Sequence, residues 1–194
     1  MPGPRSLLLG VGLLVGCARA PCLLNGCAGA ARLSAPSPFE AKRVLLDVPF
    51  FPNRGNQCGP SALASVLSFW GDPTAPSRLK EEIYLPHLKG SLPVDLLLAA
   101  RAHGMSAEMS SGSLPQVKKE LDDGHPVVAF VNLGYRFIPV GHYVVITGYD
   151  DSEQGVYVHT GAKRNAFMPY RRFLRQWDKT ERWTLLVRPP LTVR

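Results

Sequence analysis

A cysteine followed by glycine and proline is the residue in this sequence best suited to act as a nucleophile. Apolar residues recur at helical spacing from Ala62 to Trp70, which predicts a helix over about 58–70. Cys58 therefore lies at a helix N-terminus, where the partial positive charge favours thiolate over thiol. Gly59 leaves the backbone beside the sulfur uncovered. The alternative is a small buried thiol at the start of a core helix.

A histidine in a later apolar run is the matching candidate for a general base. The run 141–149 is β-branched and apolar, and predicts a strand. Strand alternation places His142, Val144 and Ile146 on one face of that strand. A histidine in such a row is either a core residue hydrogen-bonded to a backbone carbonyl or a general base. Cys58 earlier in the chain favours chemistry, since a nucleophile and its base need to meet only in space.

The elements that must position these two residues predict an α+β domain over residues 43–190. Residues 43–51 suggest a strand that enters the Cys58 loop, and helical periodicity recurs as far as about residue 122. Strands are then predicted at 126–131, 141–149, 156–160, 166–168 and 182–188, with a helix at 170–177. Helices first and antiparallel strands later predict N-terminal helices packed on an antiparallel sheet.

Composition narrows the function classes. Hydrophobic residues make up 45% of the 194 residues, which is enough for one domain core. The net charge is +7, but Lys and Arg are scattered, which favours a basic surface near anionic lipid over nucleic acid binding. No Cys-x-x-Cys or His-Glu-x-x-His spacing occurs, so we expect no metal site.

The N-terminal residues predict a lipoprotein signal peptide over 1–16. The apolar run 7–15 has the length of a secretory core and is too short to span a membrane. Leu14-Val15-Gly16-Cys17 resembles the bacterial lipobox, where cleavage precedes a cysteine that carries a diacylglyceryl group. Cys17 is therefore the predicted lipidation site, and an ordinary signal peptide is the alternative. Ala18 in place of Asp favours the periplasmic face of an outer membrane where one exists.

A lipid anchor and flexible tether are predicted over residues 17–42. Residues 18–38 are rich in Ala, Gly, Pro and Ser and show no apolar periodicity. Cys22 and Cys27 lie in this segment. They form a small disulfide in an oxidising compartment or are incidental, and the sequence does not choose between the two.

Two motifs together resemble the bacteriocin-processing cysteine peptidases, which cleave double-glycine leaders, and their stand-alone lipoprotein relatives. The first motif is 56–64, Asn-Gln-Cys-Gly-Pro-Ser-Ala-Leu-Ala, and the second is 141–149, Gly-His-Tyr-Val-Val-Ile-Thr-Gly-Tyr. The resemblance covers about residues 44–188. It implies a papain-like fold, Cys58 as nucleophile, His142 as base, a peptide or protein substrate, and no metal or organic cofactor.

The sequence departs from that family at two places. The family's oxyanion glutamine precedes the cysteine by a few residues; here Asn53 lies near that place and Gln57 adjoins Cys58. An Asn amide donates the same hydrogen bond but is one methylene shorter. Where the family's orienting aspartate is expected, this chain has Thr160, and Asn165 is another candidate. A hydroxyl orients an imidazole without balancing its positive charge.

The function that this resemblance implies is a cysteine peptidase of the bacterial cell envelope, attached to the membrane by its lipid. Two alternatives remain open. The same cysteine and histidine serve a peptidyl or acyl transferase, in which an amine replaces water. A module that keeps the fold and binds peptides without cutting them is the other alternative, and the threonine at position 160 favours it.

Overall fold

The computed structural model describes residues 41–53, 55–135 and 137–190. The predicted signal peptide, Cys17, Cys22 and Cys27 lie outside these residues, as does nearly all of the tether. The elements follow in the order β1 Arg43–Leu45, α1 Cys58–Phe69, α2 Pro76–Ile83, α3 Pro93–Ala102, β2 Ser106–Ser111, α4 Leu114–Asp122, β3 Val127–Asn132, β4 Gly141–Asp150, β5 Gly155–Thr160, β6 Lys163–Pro169, α5 Tyr170–Trp177, a short 3-10 helix Asp178–Thr180 and β7 Trp183–Arg188.

One antiparallel sheet joins all of the described strands. Its order is β2-β7-β3-β4-β5-β6, and β1 pairs with the last residues of β4, from Gly148 to Asp150. β4 is central: β3 pairs with its first six residues, and β5 pairs from Val145 onward across an irregularity between Ile146 and Gly148. The first residues of β4 therefore lie beyond the β5 pairing, at the end of the sheet where the cysteine helix begins.

Helices cover both faces of the sheet, which explains why β4 is apolar on both sides. Helices α1, α2 and α3 pack on the face that carries Tyr143 and Val145. Helices α4 and α5 pack on the face that carries Val144 and Ile146. The predicted α+β architecture, with N-terminal helices on an antiparallel sheet, is confirmed, and α4 and α5 add a second covered face.

The predicted strand over residues 43–51 is wrong beyond Leu45. Leu46 still donates to the Thr147 carbonyl at 2.8 Å, but residues 46–50 form no further ladder. Pro49 has no N–H to donate, so the strand pairing cannot continue through it. This stretch instead runs along the sheet, where the Val48 carbonyl accepts a hydrogen bond from His159 at 2.9 Å. It then leads into the loop that precedes Cys58.

No helix in the described ranges combines the length and the apolar character that crossing a bilayer requires.

Candidate active site

Cys58 is the first residue of α1, where the sequence placed it. Its thiol is free and half-buried, and Gln57 occupies the N-cap position before it. Burial raises the pKa of the Cys58 thiol, and the backbone N–H groups of Tyr143, Gly59 and Cys58 oppose this without overcoming it. The expectation of a lowered pKa is therefore wrong for this structure, because the loss of solvent outweighs the helix terminus.

His142 is the second residue of β4 and lines a cleft of about 520 Å³ together with Cys58. Burial lowers the pKa of His142, so the imidazole is neutral at neutral pH. Among the described residues, no hydrogen bond joins Cys58 Sγ to either ring nitrogen of His142. Catalytic hydrogen bonds are often long in unliganded enzymes and tighten when substrate binds. The pair at rest is thus a neutral thiol facing the same space as a neutral base.

The structure separates the two candidates for the orienting residue. Thr160 ends β5, and its Oγ1 lies 2.9 Å from His142 Nε2. Asn165 lies on β6, where its Oδ1 accepts from the Thr147 hydroxyl at 2.9 Å. Because Asn165 is engaged on this part of the sheet, Thr160 is the residue in position to orient the imidazole.

The two oxyanion candidates also differ in placement. Asn53 lines a small cavity with Cys58, and its N–H donates to the Gly161 carbonyl at 3.0 Å, which fixes the loop before the helix. Gln57 occupies the N-cap position of α1 without a side-chain capping hydrogen bond, and it does not line either cavity that contains Cys58. Asn53 together with the first N–H groups of α1 is therefore the better placed set of oxyanion donors.

Two residues adjacent to the predicted ones also line the site but were not predicted from the sequence. Buried His159 lines the small cavity beside Cys58, its Nε2 lies 2.9 Å from the Val48 carbonyl, and its Nδ1 accepts from the Asn165 N–H at 3.1 Å. Buried Tyr143 lines both cavities that contain Cys58, and its backbone N–H lowers the pKa of the thiol against the larger effect of burial. Adjacency to Thr160 and to His142 was the only signal available for either residue.

Two stretches of chain form the walls of the cleft. One consists of residues 88–92, between α2 and α3, and the other of residues 139–141, at the start of β4. The first wall lies against the start of α1: a Cβ on Gly59 would come within 2.9 Å of Ser91 Oγ. A side chain at position 59 would therefore collide with the wall. Gly59 thus leaves room for Ser91 as well as leaving the backbone beside the sulfur uncovered.

The family of the chain follows from a match that covers most of it. The model described as "Peptidase_C39 like family" matches residues 45–184. The chain belongs to the C39-like peptidase family. No curated protein matches the chain. The match includes Cys58, His142 and Thr160, and it confirms the resemblance to double-glycine leader peptidases at the level of the family.

Solved structures of C39 peptidases share the fold. A double glycine motif protease from an AMS/PCAT transporter, in complex with the leader peptide, is 22% identical, with 75% of this chain and 94% of that chain covered and a TM-score of 0.61. A protein from Bacillus anthracis described as a C39-like peptidase is 19% identical over 75% and 97%, with a TM-score of 0.62. The peptidase domain of Streptococcus ComA, a bifunctional ABC transporter, is 20% identical over 75% and 98%, with a TM-score of 0.59. The papain-like fold expected from the sequence is thereby confirmed.

Proposed function

We propose that this C39-like chain is a cysteine peptidase that hydrolyses peptide bonds with Cys58 as nucleophile and His142 as base. The main observation behind the proposal is that both residues line one open cleft. In addition, Thr160 Oγ1 lies 2.9 Å from Nε2 of the His142 imidazole. A nucleophile, a base and a group that orients the base are the parts that covalent acyl transfer needs.

The neutral state of the pair determines how the reaction proceeds. As Cys58 Sγ attacks the scissile carbonyl carbon, His142 takes the thiol proton, and the carbonyl electron pair moves onto the oxygen. Asn53 and the N–H groups at the start of α1 stabilise that oxyanion. Its collapse breaks the C–N bond, and the imidazolium protonates the leaving amine. Water then attacks the thioester with His142 again as base, releasing the acid and regenerating the thiol.

A polypeptide is the proposed substrate. The AMS/PCAT neighbour was solved in complex with a leader peptide, and a cleft of about 520 Å³ accommodates several residues of an extended chain. The test is cleavage of a mixed peptide library by the purified protein, with mass spectrometry of the products. We expect cleavage by the wild type, none by Cys58→Ser, strongly reduced cleavage by His142→Ala, and normal cleavage by His125→Gln, a histidine paired with Glu120 outside the cleft. Cleavage by Cys58→Ser would overturn the proposal.

Membrane attachment through Cys17 is part of the same proposal. It rests on the lipobox-like Leu14-Val15-Gly16-Cys17 and places the peptidase on the bacterial cell envelope. Mass spectrometry of the N-terminal peptide from cells is the test. A diacylglyceryl group on an N-terminal Cys17 is the expected result, and an unmodified N-terminus at another residue contradicts it. Cys17→Ser should abolish the modification.

Thr160 supports a second candidate function, a module that binds peptides without cutting them. A hydroxyl in place of a carboxylate does not stabilise the imidazolium by charge, which weakens the base. The library experiment distinguishes the candidates. Peptides retained but uncut by the wild type indicate a binding module, and products joined to an added amine indicate a transferase.

A further inference from the structure

Tyr143 connects three parts of the cleft. Its backbone N–H stabilises the thiolate form of Cys58. Its ring packs against Phe130 and Trp183, with centroid distances of 4.6 and 5.8 Å. Its hydroxyl donates to the carbonyl of Ser91 at 3.0 Å. Burial raises the pKa of the Tyr143 hydroxyl, so the group remains a donor over the whole working pH range.

Ser91 belongs to the segment 85–92, here called the wall segment, whose residues 88–92 form one wall of the cleft. Two hydrogen bonds pair its ends, Leu85 N–H to the Gly90 carbonyl at 2.7 Å and the reverse at 3.4 Å. Between them Lys89 adopts a φ of +50°, in the left-handed region that a residue with a Cβ avoids. Such a conformation persists when surrounding contacts impose it. Hydrogen bonds within the segment hold this conformation, and the hydrogen bond from the Tyr143 hydroxyl to Ser91 attaches the segment to β4.

The contact matters for chemistry because the wall segment lies close to the nucleophile. Ser91 packs over Gly59, the residue after Cys58, at a separation that leaves no room for a Cβ. Residues 88–92 line the cleft that also contains Cys58 and His142. A small outward movement of Ser91 would widen the cleft beside the reacting sulfur, where a bound peptide must be held for attack.

We infer that Tyr143 is a positioning residue: its hydroxyl fixes the wall segment against the start of α1 and thereby sets the width of the substrate cleft. This inference rests on the proposed peptidase function for its consequence, and on the structure alone for the contact. Tyr143 thus has two roles. The backbone N–H of Tyr143 acts on the thiol, whereas the side chain acts on the substrate wall.

Tyr143→Phe removes the hydroxyl alone, and Tyr149→Phe is its matched control. Tyr149 is a buried tyrosine on the same strand, and its hydroxyl donates to Asp122 at 2.7 Å, away from the cleft. Hydrogen exchange of the Leu88 and Gly90 amides measures the wall directly. Tyr143→Phe should lower their protection about fivefold, the value of one ordinary hydrogen bond, while Tyr149→Phe leaves it unchanged. Unchanged protection in Tyr143→Phe would overturn the inference.

Two thiol reagents of different size then separate positioning from chemistry. Iodoacetamide labelling, followed at the Cys58 peptide by mass spectrometry, reports on the reactivity of that thiol alone, whereas a benzyloxycarbonyl-dipeptidyl fluoromethyl ketone must also occupy the cleft. Tyr143→Phe should lose about fivefold or more in inactivation by the peptidyl reagent, mostly through weaker binding, with iodoacetamide rates and their pH profile unchanged. Equal losses with both reagents would contradict a positioning role. A wild type that resists the peptidyl reagent altogether contradicts the peptidase function instead, and the exchange result still decides the role of Tyr143.

Discussion

His142 and His159 lie on neighbouring strands, and burial lowers the pKa of both, yet their surroundings differ in kind. Backbone groups occupy both ring nitrogens of His159, the Val48 carbonyl at Nε2 and the Asn165 N–H at Nδ1, which fixes one tautomer. His142 is held at Nε2 by the side chain of Thr160, and its ring lines the open cleft with Cys58. The first arrangement stabilises the fold, and in the second no described residue is hydrogen-bonded to Nδ1 of His142, which suits the proposed role as base.

Replacement of His142 should have the largest effect on activity. His142→Ala removes the general base and should lower peptide cleavage about 10²–10⁴-fold, the range typical of general acid–base catalysis. The thermal midpoint should change little, because the ring is half-buried at the edge of the cleft. Parallel measurement of turnover and thermal unfolding checks both parts. Retained turnover would place the base elsewhere.

Replacement of His159 should give the opposite pattern. His159→Ala leaves the Val48 carbonyl without its partner and opens a cavity, which should lower the free energy of unfolding by about 2–4 kcal/mol. Activity per folded molecule should survive at a temperature where the variant is folded. Urea unfolding with an activity assay on the same samples is the measurement. An intact free energy of unfolding combined with lost activity would assign His159 to the chemistry.

The sequence predicted those features of the site that depend on the spacing of apolar residues and on adjacent residues in the chain. The position of Cys58 at a helix start and of His142 in a strand both follow from the spacing of apolar residues. The direction of the thiol pKa did not follow, because a helix terminus is visible in the sequence and the depth of burial is not. The choice between Thr160 and Asn165 depended on the β5–β6 register, where Val158 pairs with Ala166 and Thr160 with Lys163. The role of His159 required the position of the Val48 carbonyl, more than a hundred residues earlier in the chain.

His103 differs from His159 in how it makes the stability of the fold depend on pH. Burial alone would lower the pKa of His103, but hydrogen bonds to Glu82 and Asp72 outweigh it and raise the pKa above 6.5. Its contribution is therefore complete below pH 6.5 and disappears as the pH rises through the folded pKa. At His159 the pKa is lowered by burial, so stability declines as the pH falls from 6.5 towards the folded pKa.

The two histidine substitutions should therefore respond to pH in opposite directions. His103→Gln should cost more free energy of unfolding at about pH 5 than at about pH 8, and His159→Gln should cost less at the acidic pH. Urea midpoints at the two pH values provide the test. The same pH trend for both variants would mean that at least one of the two pKa directions is wrong.

Replacement of Thr160 should lower turnover much less than replacement of His142. Thr160→Val keeps the shape and removes the hydrogen bond to His142, which should cost about threefold to tenfold in kcat/KM. Thr160→Asp should raise activity if the missing carboxylate limits the base, because a negative charge stabilises the imidazolium. Steady-state kinetics of the two variants beside the wild type measures both. A Thr160→Val variant with full activity would show that another group orients the imidazole.

The rate of Cys58 alkylation by iodoacetamide as a function of pH, in the wild type and in His142→Ala, tests the proposed pair most directly. In the wild type, His142 assists ionisation, so reactivity should appear with a midpoint below 6.5, because burial lowers the pKa of that histidine. In His142→Ala this acidic limb should vanish, and alkylation should rise only as the thiol ionises unaided, above its ordinary pKa of 9.0, because burial raises it. Two coincident profiles would contradict a catalytic partnership between Cys58 and His142.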